Sequence, residues 1–139
     1  MTSRSFAMPG PRDHDLRSLV LPFTKQVAAA TMDLAVRRCA VEGQIIAAYL
    51  HFPPGANALV EVRILLASRR GEVQVVPTPS ETFIALDSVT FPAENLFVPV
   101  EVGDDIRVEW WNFDGANPHR VPVEVILARQ EARPSRSAA

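Results

Sequence analysis

The sequence predicts an all-β protein: an antiparallel, jelly-roll-like β-sandwich of about eight or nine strands with an extended N-terminal arm. Three observations predict this class. Apolar and polar residues alternate with a period of two in several runs, which is the pattern of a strand with one buried face. Turn-forming clusters separate these runs at spacings of about 8–12 residues, typical of a sandwich or barrel. Twelve prolines against six glycines agree with a fold rich in strands and turns.

Nine runs are predicted to be strands. In chain order they are 19–24, 32–36, 44–52, 60–66, 72–76, 82–86, 96–102, 106–111 and 121–127. Clusters of proline, glycine, asparagine, aspartate or serine separate many of them, at 53–57, 68–71, 77–80, 103–105 and 114–118. Because proline cannot donate to a ladder, Pro22, Pro99 and Pro122 are expected on edge strands, at strand starts or at bulges.

The segment 24–38 carries mixed signals. Three consecutive alanines favour a helix. Val27 and Thr31 are β-branched, and a period of two follows Thr31, which favours strand. We predict strands here. The sequence leaves the topology of the sandwich open between jelly-roll, immunoglobulin-like and cupredoxin-like arrangements.

The chain is divided into three parts by composition. Its 139 residues suffice for one domain with its own core. We predict an extended arm at 1–17, a β-sandwich domain at 18–128 and a polar tail at 129–139. The body at 21–128 holds eight basic and thirteen acidic residues, whereas residues 1–20 and 129–139 are net positive. The net charge of −2 is therefore an average over an acidic body and two basic ends.

Composition also excludes several classes of partner. A net charge of −2 argues against nucleic-acid binding through bulk attraction to phosphate. No apolar run approaches the roughly 18 residues that a membrane span needs, and the first residues lack the apolar stretch of a secretory signal. The single cysteine, Cys39, excludes an internal disulfide and a Cys-rich metal site. Neither nucleic acid nor membrane is expected as a partner.

The hairpin at 108–121 is the most motif-like stretch of the sequence. Its Asn112-x-Asp114 and Pro118-His119 resemble the first half of a blue-copper (cupredoxin) site, and that resemblance implies His119 as a copper ligand. The family then needs Cys, His and usually Met downstream, and none follows His119 here. The favoured interpretation is a turn that Asn112 and Asp114 cap with their side chains. We predict no metal and no cofactor.

No other constellation predicts catalysis, so we expect a non-enzymatic protein. His14 lies between two aspartates in the arm, and His51 lies on a strand face, which favours a surface or interface position. No serine lies in a Gly-x-Ser-x-Gly elbow. Two arginines precede Cys39 and could lower its thiol pKa, but a small half-buried residue at a strand end is the favoured interpretation. The aspartates at 104–105 and Asp114 lie at opposite ends of one strand, roughly 30 Å apart.

Three aromatic residues favour a ligand-binding alternative. Trp111 and Phe113 either face away from the buried Trp110 or lie in the following loop, where they would suit sugar stacking or a protein interface. Together with Tyr49 they would make a carbohydrate-binding β-sandwich module. Packing against another layer of the sandwich explains them equally well.

Two stretches together resemble small β-sandwich virion proteins of tailed phages. At 49–64 a strand ends in a Pro-Pro-Gly turn and an alternating strand follows; at 76–119 a Pro-bearing turn leads to the late Asn-x-Asp to His hairpin. The resemblance covers about residues 44–128. It implies a structural role, such as a capsid decoration (cement) or head–tail accessory protein, and it implies no catalytic residues.

The resemblance implies the virion as location, and the major capsid protein or other virion subunits as partners, with homo-oligomers expected. An arm that orders on binding covers a large surface with few residues. Arginine suits interface ion pairs because its planar fork binds carboxylates at two points. The expected interface residues are Arg4, Arg12, Arg17, Tyr49, Trp111, Phe113, Arg133 and Arg136.

Overall fold

The computed structural model describes residues 18–77 and 83–129, which form eleven strands and no helix. No helix in these ranges is long and apolar enough to cross a bilayer. The predicted all-β class is confirmed. The strands are β1 (Ser18–Phe23), β2 (Gln26–Val27), β3 (Met32–Arg38), β4 (Gly43–Phe52), β5 (Val60–Ser68), β6 (Gly71–Val76), β7 (Val89–Ala93), β8 (Val98–Val100), β9 (Asp105–Asn112), β10 (His119–Arg120) and β11 (Val123–Arg129). The arm at 1–17 and five expected interface residues lie outside the described ranges: Arg4, Arg12, Arg17, Arg133 and Arg136.

Two antiparallel sheets make the sandwich. The four-stranded sheet has the order β3-β9-β5-β6. The five-stranded sheet has the order β1-β11-β4-β7. Its fifth strand, β8, also pairs with β4, beyond the end of β7. A two-residue ladder joins β2 to β10, with Val27 opposite His119. Strands that neighbour each other in a sheet are mostly distant in sequence.

This strand order is that of a jelly roll. β7 pairs with residues 48–52 of β4 and β8 with residues 43–45, so the two act as one interrupted strand. With the short β2 and β10 set aside, eight strands remain, in agreement with the predicted number. Counted along the chain, they lie in the orders 1-8-3-6 and 2-7-4-5, which is the double-sheet arrangement of two Greek keys.

The inner faces of the two sheets enclose one core. Alternate residues of each central strand point into it, which is what the period of two predicts. Ile45 and Leu50 enter from the five-stranded sheet, and Ile64, Val108 and Trp110 from the four-stranded sheet; all five are completely buried. Because the core is closed from both sides, the outer faces of the sheets are free to bind partners.

The segment 24–38 forms strands, as predicted, with a turn where the alanines lie. Ala30 has a φ of 59°, which ends the run of extended backbone between β2 and β3. Pro22 and Pro99 lie on β1 and β8, which are edge strands, as expected. Pro122 precedes β11, which is a strand start.

Two predicted strands need correction. In the run at 82–86, Ile84 forms only an isolated bridge to Val62, and residues 78–82 lie outside the described ranges. The run at 96–102 shortens to β8. β7 is absent from the predicted strands, since its alternating run of Val89, Phe91 and Ala93 is only five residues long and contains a proline. Its side chains are exposed or half-buried. Edge strands of this kind are fixed by pairing with β4 rather than by their own pattern.

Lys25, the only lysine of the chain, protects the free edge of β3. Its Nζ donates to Asp33 Oδ1 at 3.1 Å and to the Leu34 carbonyl at 2.9 Å. Asp33 Oδ1 also accepts the Leu34 N–H at 2.8 Å. Both backbone groups of Leu34 are therefore satisfied by side chains, which discourages the addition of a further strand.

Candidate binding face on the four-stranded sheet

The outer face of the four-stranded sheet carries the candidate site. Trp111 lies directly opposite Met32 on β3 and Glu61 on β5, so the three side chains form one row across three strands. Side chains opposite each other in an antiparallel pair have Cβ atoms about 4.5–5.5 Å apart. In the next row, Glu109 lies opposite Leu34 and Arg63. We call this surface the outer face below.

Trp111 and Phe113 line an open groove at one end of the outer face. Trp111 is 41% exposed and Phe113 is 57% exposed. The groove has a volume of about 290 Å³, and its lining also includes Ala30, Thr31, Met32 and Asn112. Along β3, Leu34 and Val36 extend the apolar surface away from it. We call this cavity the Trp111–Phe113 groove.

Asn112 holds the loops that shape the groove. Its Nδ2 donates to the carbonyls of Val27 at 3.1 Å, Ala28 at 3.2 Å and Asn117 at 3.0 Å. Its Oδ1 accepts the Asp114 N–H at 2.9 Å. One buried amide therefore ties the loop before β3 to the loop after β9, and the predicted capping role of Asn112 is confirmed.

Asp114 caps the same loop and pairs with His119. Its Oδ1 accepts the N–H groups of Ala116 and Asn117, and its Oδ2 lies 2.8 Å from His119 Nε2. The hydrogen bond from Ala116, then that from His119, lowers the pKa of Asp114 to about 2. His119 thus has a turn aspartate as its partner. In the described ranges, no three His, Cys, Asp or Glu residues come together as a metal site.

We expect acid to weaken the fold through Asp114. Because its pKa in the folded protein, about 2, lies below the ordinary value of 3.8, the ionised carboxylate stabilises the fold above about pH 4. That contribution is lost as the pH falls toward about 2. The Asp114→Asn variant should therefore be less stable than wild type to urea near pH 6, and the difference should shrink near pH 2. Glu42→Gln, at an exposed position, is the control; a wild-type advantage that is unchanged at pH 2 contradicts the assignment.

A network of ion pairs occupies the middle of the outer face. Arg63 Nε donates to the buried Glu109 Oε1 at 2.7 Å, and Arg107 Nη1 donates to Glu72 Oε2 at 2.7 Å. Arg107 also lies 3.8 Å from Glu109. The buried Arg107 Nε has no hydrogen-bond partner among the described residues. Four charges thus offset one another beside the groove.

Glu61 differs from the ion-paired charged residues of the outer face. Burial raises the pKa of its carboxyl. Within the described ranges it has neither a hydrogen bond nor an ion pair, because Arg63 on the same strand is engaged with Glu109. A half-buried carboxylate beside an exposed tryptophan is a place where a cation from a partner would gain both charge pairing and an aromatic contact. The sequence analysis missed Glu61, since nothing marks it except its place in an alternating strand.

Tyr49 lies on the outer face of the other sheet. Its hydroxyl donates to Glu94 Oε2 at 2.7 Å. Beside it, His51 contacts Thr90 Oγ1 on β7 at 2.9 Å and Glu124 Oε1 on β11 at 3.0 Å. The structure therefore brings Trp111 and Phe113 together but leaves Tyr49 on the opposite side of the sandwich. The three aromatic residues do not form one site.

Cys39 is buried rather than half-buried, with 2% of its surface exposed. Burial, reinforced by Asp104 and Asp105, raises the pKa of its thiol to about 11. The suggestion that the preceding arginines lower this pKa is wrong, because burial raises it and the carboxylates of Asp104 and Asp105 add to that effect. Cys39 is a core residue at the end of β3.

The fold and the face together define an all-β jelly-roll sandwich with an open groove at one end of its four-stranded sheet. No protein-family model and no curated protein matches the sequence. Among solved structures, the crystal structure of FLHE is 15% identical, covers 82% of this chain and 98% of that chain, and gives a TM-score of 0.43. The structure of infectious bursal disease virus Gx strain is 10% identical, with coverage of 83% and 33% and a TM-score of 0.38. A family two carbohydrate esterase from Cellvibrio japonicus is 13% identical, with coverage of 81% and 35% and a TM-score of 0.36. At these values the similarity carries no information about function.

Proposed function

We propose that this protein is a non-enzymatic structural subunit that binds other protein subunits through the outer face of the four-stranded sheet. We further propose that it is a virion protein of the capsid decoration type, present in many copies on the particle. The observation that carries the proposal is the set of exposed apolar side chains on this one face: Leu34, Val36, Trp111 and Phe113.

The composition of the face supports protein binding. A contiguous exposed apolar surface with a polar rim is typical of an interaction site. Tryptophan is among the residues that dominate binding energy when a partner covers them. Here Trp111 and Phe113 lie at the groove, and the ion pairs of Arg63 and Arg107 lie beside them. The arrangement supplies an apolar anchor and a charged border.

The virion setting rests on the resemblance and on the compatibility of the fold. Jelly rolls serve in viral capsids and in lectins, so the strand order agrees with both candidate functions and does not choose between them. The resemblance to tailed-phage virion proteins favours the capsid. The proposed partners are the major capsid protein and further copies of this chain.

Phe113→Ser should abolish binding to the capsid. The measurement is cosedimentation of the purified protein with shells assembled from the major capsid protein of the same virus. We expect wild type to pellet with the shells and Phe113→Ser to stay in the supernatant, with at least tenfold weaker binding from loss of an interface aromatic. Phe97→Ser is the matched control, because Phe97 is 70% exposed and lies beside the other sheet. Equal pelleting of wild type and Phe113→Ser would overturn the proposal.

A carbohydrate-binding module is the second candidate, and the groove itself favours it. Two exposed aromatic side chains beside a cavity of this size suit stacking against a sugar ring. On this hypothesis, wild type binds members of a glycan array and Trp111→Ala loses that binding. An array without any bound glycan removes the candidate and leaves the first one standing.

A further inference from the structure

We propose that the Trp111–Phe113 groove of one copy receives the Arg4–Phe6–Met8 stretch of the N-terminal arm of a second copy, with Arg4 paired to Glu61. This inference rests on the proposed function and names the partner segment of the same site. It joins copies head to tail.

The groove is chemically matched to an apolar segment that carries one cation. Its apolar lining comes from Trp111, Phe113 and Met32. Glu61 lies directly opposite Trp111 and lacks a partner in the described ranges. A guanidinium there would pair with the carboxylate and lie against the indole, two contacts for which arginine is well suited.

The arm offers that combination and the C-terminal tail does not. Arg4, Phe6 and Met8 alternate with small residues, so in an extended conformation all three side chains project to one side. The stretch 130–139 contains arginines but no large apolar residue. The body at 21–128 is acidic while residues 1–20 are net basic, so attraction between the arm and a neighbouring body is favourable over a longer range.

The direction of β1 favours an intermolecular contact. Ser18 pairs with Ala128, whereas Phe23 pairs with Val123, near the end where Val121 accepts the Trp110 Nε1 hydrogen bond. Ser18, where the arm joins the sandwich, therefore lies at the end away from the groove, about 20 Å along the strands. Extended, the stretch from Ser18 back to Arg4 reaches up to about 46 Å, enough to meet the groove of a copy stacked end to end.

A contact of this kind is heterologous. Each copy offers one arm and one groove, so the assembly closes into a ring or continues as a chain. Docking of the arm in the groove of its own copy is the competing arrangement, and it predicts a monomer.

Exchanging the charges of Arg4 and Glu61 tests whether the two residues pair. We expect Glu61→Arg and Arg4→Glu each to weaken self-association of the full chain about tenfold, as measured by sedimentation velocity over a range of concentrations. The double variant should recover association to within about threefold of wild type. Glu42→Arg and Arg69→Glu, which make the same charge changes at exposed positions away from the groove, should associate as wild type does.

Mixing the two single variants decides between the arrangements. The groove of the Glu61→Arg copy then matches the arm of the Arg4→Glu copy, and the native arm of the first matches the native groove of the second, whereas contacts between identical copies repel. We expect the mixture to recover the association of wild type, with the two variants alternating. A mixture that stays as weakly associated as the single variants, or single variants that associate like wild type, overturns the inference.

The two proposals fail separately. If Phe113→Ser loses capsid binding while the charge variants behave like wild type, the proposed function stands and the arm inference is overturned. If Phe113→Ser binds the capsid as wild type does, the proposed function fails, whereas recovered association in the mixture would still support the arm contact.

Discussion

Asn112→Ala should lower the free energy of unfolding by about 3 kcal/mol, since it leaves several buried polar groups without partners. The carbonyls of Val27, Ala28 and Asn117 would lose their donor, and the Asp114 N–H would lose its acceptor. Because Asn112 is only 2% exposed, bulk solvent does not reach its amide in the folded protein. Urea unfolding at neutral pH measures the loss.

A neighbouring asparagine supplies the control for this variant. The Asn117 side chain makes only an exposed contact to Asp114 at 3.4 Å. Asn117→Ala should therefore change stability by no more than about 0.5 kcal/mol. Asn112→Ala should also weaken partner binding, since the loops it releases shape the groove. If the two variants are equally stable, the role assigned to Asn112 is wrong.

Trp110 and Trp111 are adjacent in sequence, yet we expect opposite consequences when each is replaced by alanine. Trp110 is completely buried, and its Nε1 donates to the Val121 carbonyl at 2.8 Å. Trp110→Ala leaves a large cavity and an unpaired carbonyl, so it should cost about 4 kcal/mol of stability. Trp111→Ala removes an exposed side chain, so it should cost less than about 1 kcal/mol.

The two variants should also differ in partner binding, where Trp111→Ala has the specific effect. Trp111→Ala should weaken partner binding at least tenfold while it keeps the fold, since an interface tryptophan contributes through the partner that covers it. Urea unfolding and shell cosedimentation, run on both variants, measure the two effects. Trp111→Ala with large stability loss and intact binding would place its side chain in the core of the fold rather than in the interface.

The alternation of residues in the sequence determined much of the fold. In β9, Ile106, Val108 and Trp110 were predicted to share one face, and they do so in the core. The turn that follows was predicted from Asn112 and Asp114, whose side chains accept local N–H groups. These features are local, because they depend on residues a few positions apart. The sequence by itself therefore determined the central strands, their buried faces and the capped hairpin.

The pairing of strands that are distant in sequence decided which side chains form the candidate site. Whether Tyr49 joins Trp111 depends on which sheet each strand enters, and β4 and β9 enter different sheets. Glu61 became a candidate only when β5 was placed opposite Trp111 with Arg63 already engaged. Cys39 acquired a raised thiol pKa from burial in the core, reinforced by carboxylates about 65 positions away in the chain. Period and turn chemistry describe one strand at a time, whereas registers between distant strands set which side chains meet, and only the folded chain contains that information.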